Sequence, residues 1–141
     1  MDATSNDPHR LRIAVVDDEP DWRELLQRFL EEVQLGLVGE AEDAESALAM
    51  VDETCPDLVI VDFQMPGADG AELTKQLREH HPDVEVVAFT SAPTPEIELA
   101  FTEAGAATLF RKADLDLLVT HLAHRAAVSA PPSRRCDPES R

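Results

Sequence analysis

The stretch that most constrains this chain is Asp57-Leu58-Val59-Ile60-Val61-Asp62. Four consecutive apolar residues, mostly β-branched and without polar alternation, read as a strand buried on both faces. Such strands belong to parallel sheets covered by helices on both sides. The run ends on a carboxylate, Asp62, and continues as Phe63-Gln64-Met65-Pro66-Gly67-Ala68-Asp69-Gly70, where Met-Pro-Gly cannot extend a strand. An acid at the carboxyl end of a central parallel strand stands where open α/β sheets place their ligands. Taken alone, Asp62 reads equally well as a loop cap.

The remaining chain repeats the alternation. Residues 1–10 are polar and are expected to form a flexible arm. Leu11 to Val16 is a second apolar strand, and it stops at Asp17-Asp18-Glu19. Pro20 suits the first turn of a helix, where its missing N–H costs nothing. Leu25, Leu26, Phe29, Leu30 and Val33 follow at helical spacing, with Gly36 as the expected stop. Leu37 to Ala41 reads as an edge strand. Asp43 is a natural N-cap for a helix carrying Ala44, Ala47, Leu48 and Val51. Asp69-Gly70 opens a third helix, with Leu73, Leu77 and the alkyl part of Lys75 or Gln76 facing inward. Val84 to Phe89 is a buried strand ending at Thr90-Ser91. Thr94-Pro95-Glu96 opens a fourth helix, stopped by Gly105, and Ala107 to Phe110 runs into Arg111-Lys112. Asp114 is expected to cap a last helix bearing Leu115, Leu118, Val119, Leu122 and Ala126. From 129 to 141 the chain is Pro, Ser and charge, the composition of a disordered tail.

Five strands alternating with five helices imply an α/β fold over residues 11–128. The expected form is a doubly wound five-stranded parallel sheet with right-handed crossovers, order 2-1-3-4-5, flavodoxin-like (βα)5. In that order the first and third strands are neighbours at the topological switch point, so Asp17, Asp18 and Asp62 converge on one crevice. The formal charge of −17 and pI of about 4.4 argue against a nucleic-acid or anionic-membrane surface. No secretory signal and no apolar run long enough for a bilayer is visible, so the expected location is cytoplasmic. Cys55 and Cys136 are too few and too separated for a disulfide framework or a zinc site.

Three converging carboxylates repel. Two charges ~4 Å apart at an effective dielectric of ~20 cost about 4 kcal/mol, so something must offset them. Oxygen-only ligands suit Mg2+, and Lys112 at the end of the fifth strand brings a second positive charge. Thr90 adds a hydroxyl at the same rim. Acids for a metal, one acid as nucleophile, a hydroxyl and a lysine together make a site for phosphoryl transfer to a carboxylate. Position divides the labour. Asp62 is the phosphoacceptor, Asp17 and Asp18 hold the metal together with Asp62 and the backbone carbonyl of Gln64, and Lys112 neutralises the phosphoryl oxygens. Thr90 is then drawn inward, which offers a route from local chemistry to a surface change.

Val16-Asp17-Asp18-Glu19-Pro20, Asp62 with Met65-Pro66-Gly67 and Gly70, Thr90, Gly105-Ala106 and Lys112 resemble the response-regulator receiver domain of two-component signalling. The resemblance covers Leu11 to Val128. It implies that a histidine kinase or histidine phosphotransfer protein donates a phosphoryl group to Asp62 with Mg2+. The receiver itself would supply most of the catalysis and a slow autodephosphorylation, without being an enzyme in its own right. It further implies a switch at the face of the fourth helix, fifth strand and fifth helix. A protein partner or a phosphorylation-dependent homodimer would read that face, with no direct nucleic-acid or membrane contact.

Three departures stand out. Leu109 occupies the place where receivers commonly carry an aromatic, and strand alternation points Phe110 to the opposite face. Lys112 is followed by Ala113 rather than the frequent Pro, as in receivers of LuxR-type transcription factors. Ser91 replaces the common Ala. His80, His81, His121 and His124 read as solvated helix positions, and Trp22 is expected near the crevice. Only thirteen residues follow Val128, so the first expectation is a single-domain regulator. The second is the N-terminal receiver of a longer LuxR-type transcription factor. An aspartyl-phosphate phosphatase of the haloacid-dehalogenase type is a third reading, but it requires a second Asp where this chain has Gln64.

Overall fold

A computed structural model of the protein describes residues 11–128; the arm over 1–10 and the tail over 129–141 lie outside the described residues. The strands are β1 (Ile13–Val16), β2 (Leu37–Ala41), β3 (Leu58–Val61), β4 (Glu85–Thr90) and β5 (Thr108–Arg111). The helices are α1 (Pro20–Glu32), α2 (Ala44–Thr54), α3 (Gly70–His80), α4 (Pro95–Ala104) and α5 (Leu115–Val128), with a 3₁₀ turn over Lys112–Asp114 before the last. All neighbouring strands are parallel, and the order is β2-β1-β3-β4-β5, the wound topology expected from the alternation.

Period-two geometry divides each strand between two cores. Ala14, Val16, Val59, Val61, Val86 and Ala88 meet α2, α3 and α4 through Met50, Val51, Leu73, Leu77 and Phe101. Ile13, Val15, Leu58, Ile60, Val87 and Phe89 meet α1 and α5 through Leu26, Leu30, Leu118 and Leu122. Each such Leu or Phe, fully buried, contributes roughly 1.5–3 kcal/mol. That is why β3 carries no polar alternation: both of its faces are interior.

Three helices begin on side-chain caps. Asp43 accepts from the Ser46 amide at 2.8 Å, Asp69 from the Glu72 amide at 2.8 Å, and Thr94 from the Ile97 amide at 3.2 Å. Each satisfies an amide that has no partner within the helix. Gly105 ends α4 in the left-handed region, φ 108°.

Four local expectations are corrected. α1 stops at Glu32, Val33 is exposed, and Gln34 rather than Gly36 takes the left-handed conformation at φ 64°. The cause is Leu35, which turns back into the core and donates its amide to the Leu30 carbonyl at 2.8 Å. In α3, Thr74 is buried in place of Lys75 or Gln76. Burial is permitted because its hydroxyl donates to the Gly70 carbonyl at 2.8 Å. Asp114 closes the 3₁₀ turn and pairs with Arg111 at 3.1 Å instead of capping α5. His81 and His121 are not merely solvated: His81 Nε2 lies 2.8 Å from Asp52, and His121 packs on the Phe110 ring.

Candidate phosphoacceptor site

The site follows from register. Val16, the last residue of β1, lies level with Ala41 of β2 and Val61 of β3. The next residues, Asp17 and Asp62, therefore emerge side by side at the carboxyl edge of the sheet. The Asp62 amide donates to the Val16 carbonyl at 3.1 Å and the Asp17 amide to the Ala41 carbonyl at 3.0 Å, extending both ladders by one rung. Carboxylate oxygens of Asp17, Asp18 and Asp62 lie within 4.8 Å of one another. Asp17 and Asp62 are buried; Asp18 is exposed.

Lys112 reaches the pair from the 3₁₀ turn after β5. Its Nζ stands 2.7 Å from Asp17 Oδ2, 3.1 Å from Asp62 Oδ2 and 4.0 Å from Glu19 Oε1. The lysine is 5% exposed, so these contacts are poorly screened. Burial pushes the Asp17 carboxyl above its usual range, against the pull of Lys112 and of the Glu19 amide. Burial also works to lower the Lys112 ammonium, but its hydrogen bond to Asp17 and the charges of Asp62 and Asp17 outweigh that, and its pKa is raised. Burial thus costs Asp17, while the acids around Lys112 favour its charged form. The contacts are also unequal in number: one ammonium faces three acids, Asp17, Asp62 and Glu19.

That imbalance bears on a metal. Three carboxylates and one ammonium leave a formal excess of two negative charges, and every acidic donor is a hard oxygen. The set fits a divalent cation such as Mg2+, with Asp18 supplying the solvent-facing ligand. Gln64 is exposed in the loop two residues beyond Asp62. Thr90 ends β4, buried and level with Arg111, the residue before Lys112. All five predicted side chains therefore lie at one edge of the sheet. Leu109 packs with the α2–α3–α4 core and Phe110 with the α1–α5 core, as strand alternation requires.

Two residues support the site: Arg23, which the sequence reading did not single out, and Gly70, which it named only as a helix start and part of the family motif. Arg23 on α1 donates Nη1 to the Asp17 carbonyl at 2.5 Å and Nε to Glu40 at 3.0 Å, clamping the first loop to β2. Its sequence signal was slight: Arg23 is one of two arginines on α1, the other being Arg28. Gly70 is required sterically: a Cβ there would stand 2.0 Å from the Asp62 carbonyl oxygen and 2.9 Å from Phe63 Cα. Its amide donates to the Phe63 carbonyl at 2.8 Å, so α3 begins directly against the acceptor loop.

The chain is similar to known proteins over most of its described residues. The family model described as the response regulator receiver domain matches residues 13–123. The response regulator GacA of Pseudomonas viridiflava is 37% identical over 103 residues, 72% of this chain and 48% of that protein. The chain spans about half the length of such relatives. The signal receiver domain of the response regulator NarL from Mycobacterium tuberculosis superposes with a TM-score of 0.73 at 30% identity, over 83% of this chain and 98% of that one. A two-component response regulator of the LuxR family from Aurantimonas gives 0.77 at 33% identity, over 84% and 86%.

Proposed function

The chain belongs to the response-regulator receiver domain family, and from that premise we propose that it is a phosphorylation switch whose acceptor is Asp62. Receiver domains take their phosphoryl group from histidine kinases and bind Mg2+ at an acidic pocket. The observation that carries the reading is the buried Asp62 carboxylate, 3.1 Å from the Lys112 ammonium at the carboxyl end of the central strand.

An Asp62 oxygen attacks phosphorus in line. The bond from phosphorus to the donor imidazole nitrogen breaks, and the imidazole leaves with the bonding pair and takes a proton from solvent. Lys112 stands where it can neutralise charge on the transferring oxygens, and its contact with Asp17 keeps it at that edge. Asp17, Asp18, Asp62 and the Gln64 carbonyl would hold Mg2+, which when bound supplies further charge neutralisation. Thr90 donates its hydroxyl to a phosphoryl oxygen once the group is present, and its inward movement biases the face formed by α4, β5 and α5. To swing that face from mostly off to mostly on, the phosphate must favour the active state ~10⁴-fold, roughly 5.5 kcal/mol. Leu109 fills the space Thr90 vacates, without the hydroxyl an aromatic Tyr would bring.

The output is docking to a protein partner or to a second copy in the cytoplasm, with residues 11–128 as the signalling unit. Among the described residues no helix is long and apolar enough to cross a membrane. A second reading, the receiver of a longer LuxR-type transcription factor, is favoured by the relatives' length, about twice the matched span. The native mass, read by immunoblot in the source cells, separates the two. The phosphatase reading is dropped: the family is the receiver, and Gln64 stands where a hydrolase would need its second Asp.

Incubation with Mg2+ and acetyl phosphate, followed by intact mass, tests the acceptor. A single hydroxylamine-labile phosphoryl addition is expected on the wild type and none on Asp62→Asn. A folded wild type that takes no label would overturn the proposal.

A further inference from the structure

We propose that Trp22 is the positioning residue for Lys112, holding the ammonium over its ring face so that it stays within reach of Asp62. The inference rests on the reading that Lys112 serves the phosphoryl oxygens at Asp62. A lysine ammonium is a point charge on a flexible four-carbon stem, and nothing in the stem itself directs it. Here its surroundings are unequal. Its acidic neighbours are Asp17, Asp62 and, farther out, Glu19, at 2.7, 3.1 and 4.0 Å. With the acids alone, the shortest contact, with Asp17, and the exposed Glu19 would draw the charge toward the first loop. The indole is a further, uncharged partner: Nζ lies 4.9 Å from the Trp22 ring centroid, within cation–π range. The Lys112 side chain is only 4% exposed, so the contact is desolvated and strong for its kind.

The ring is itself held. Its edge-to-face contact with Phe89 has centroids 5.6 Å apart at 88°, and Phe89 is 1% exposed in the α1–α5 core. The Trp22 amide donates to the Glu19 carbonyl at 3.1 Å, and the next residue, Arg23, is bonded to the Asp17 carbonyl and to Glu40. Trp22 is therefore a fixed plate beside the Lys112 ammonium.

Two measurements on the full chain test this, and the first needs no phosphodonor. Protons over an aromatic face resonate upfield, so the Lys112 ε-methylene should be shifted upfield in the wild type and in Trp22→Phe, and should return to its ordinary position in Trp22→Leu. An unshifted ε-methylene in the wild type would overturn the contact whatever the fate of the phosphorylation proposal. The second is the rate of acetyl-phosphate labelling at saturating Mg2+. Trp22→Leu should slow it roughly thirtyfold, the scale of one desolvated cation–π contact, with Mg2+ affinity within about twofold of wild type. Trp22→Phe should recover most of the loss, because a ring face is what the ammonium needs. Equal rates for Trp22→Leu and wild type, or a rate loss that Trp22→Phe fails to recover, would make Trp22 only core filling. Should Trp22→Leu fail to fold, the wild-type shift and the Trp22→Phe rate still decide the matter. A wild type that takes no label at Asp62 sinks the phosphoacceptor reading, and the ε-methylene shift then judges the contact alone.

Discussion

Replacing Gly70 with Ala tests whether α3 is seated as tightly on the acceptor loop as the geometry says. The added methyl would stand 2.0 Å from the Asp62 carbonyl oxygen, 2.8 Å from the Asp62 carbonyl carbon and 2.9 Å from Phe63 Cα. These are backbone atoms, so no side chain can rotate away. To restore ordinary contact the helix start and the loop must separate by more than 1 Å, which stretches the 2.8 Å bond from the Gly70 amide to the Phe63 carbonyl. Overpacking of this kind costs typically 1–3 kcal/mol, and loss of a buried backbone hydrogen bond adds about 1 kcal/mol. The gain from Ala over Gly, at most about 1 kcal/mol in a helix interior and less at its first residue, does not offset that. A net loss of about 2–3 kcal/mol corresponds to a fall in Tm of roughly 6–15 °C for a domain of this size. Because the displaced carbonyl belongs to Asp62, acetyl-phosphate labelling should also slow by more than the unfolded fraction explains. Thermal unfolding by circular dichroism and intact-mass labelling read the two effects. A Gly70→Ala protein with a Tm within 2 °C of wild type would refute the close approach; one that is destabilised yet labels normally would refute its bearing on the acceptor.

Three further outcomes follow from the site and the core. Mg2+ at 100 times its Kd should stabilise the wild type by about 2.7 kcal/mol in chemical denaturation; the gain should vanish with EDTA and fall sharply in Asp18→Asn, and an unchanged gain in that variant would remove Asp18 from the ligand set. The raised Lys112 pKa contributes stability that is fully present below its ordinary value of 10.5 and lost as pH climbs through the higher folded value. Lys112→Met should therefore flatten the alkaline limb of the stability profile. The raised Asp17 pKa works in the other direction from a typical paired carboxylate: its contribution is present below 3.8 and lost as pH rises through the folded value. Asp17→Asn should raise the unfolding midpoint of Mg2+-free protein at pH 7, and a lower midpoint there would contradict a net burial cost for the Asp17 carboxylate. Leu77→Ala, at a fully buried position of α3, should cost about 2–5 kcal/mol in urea denaturation with little change in m-value.

What the chain alone determined is the local grammar. The unbroken run from Leu58 to Val61 announces a doubly covered strand, and Asp43, Asp69 and Thr94 announce their helices, because burial pattern and caps are written within a few residues. Even the edge on which Asp17, Asp62, Thr90 and Lys112 gather was legible, since each ends a strand or follows one and wound parallel sheets keep their carboxyl ends together. The tertiary structure decided what depends on clearance and competition between distant elements. Leu35 turning into the core moved the left-handed residue from Gly36 to Gln34, and a satisfied hydroxyl let Thr74 displace Lys75 from the interior. Only the packed fold set Lys112, fifty positions from Asp62, between two acids and an indole, and only it brought Gly70 so near the acceptor that a methyl has no room. The reason is physical: periodicity and capping act along the chain, whereas an ion's partners and an ångström of free space are set by register and helix seating across it.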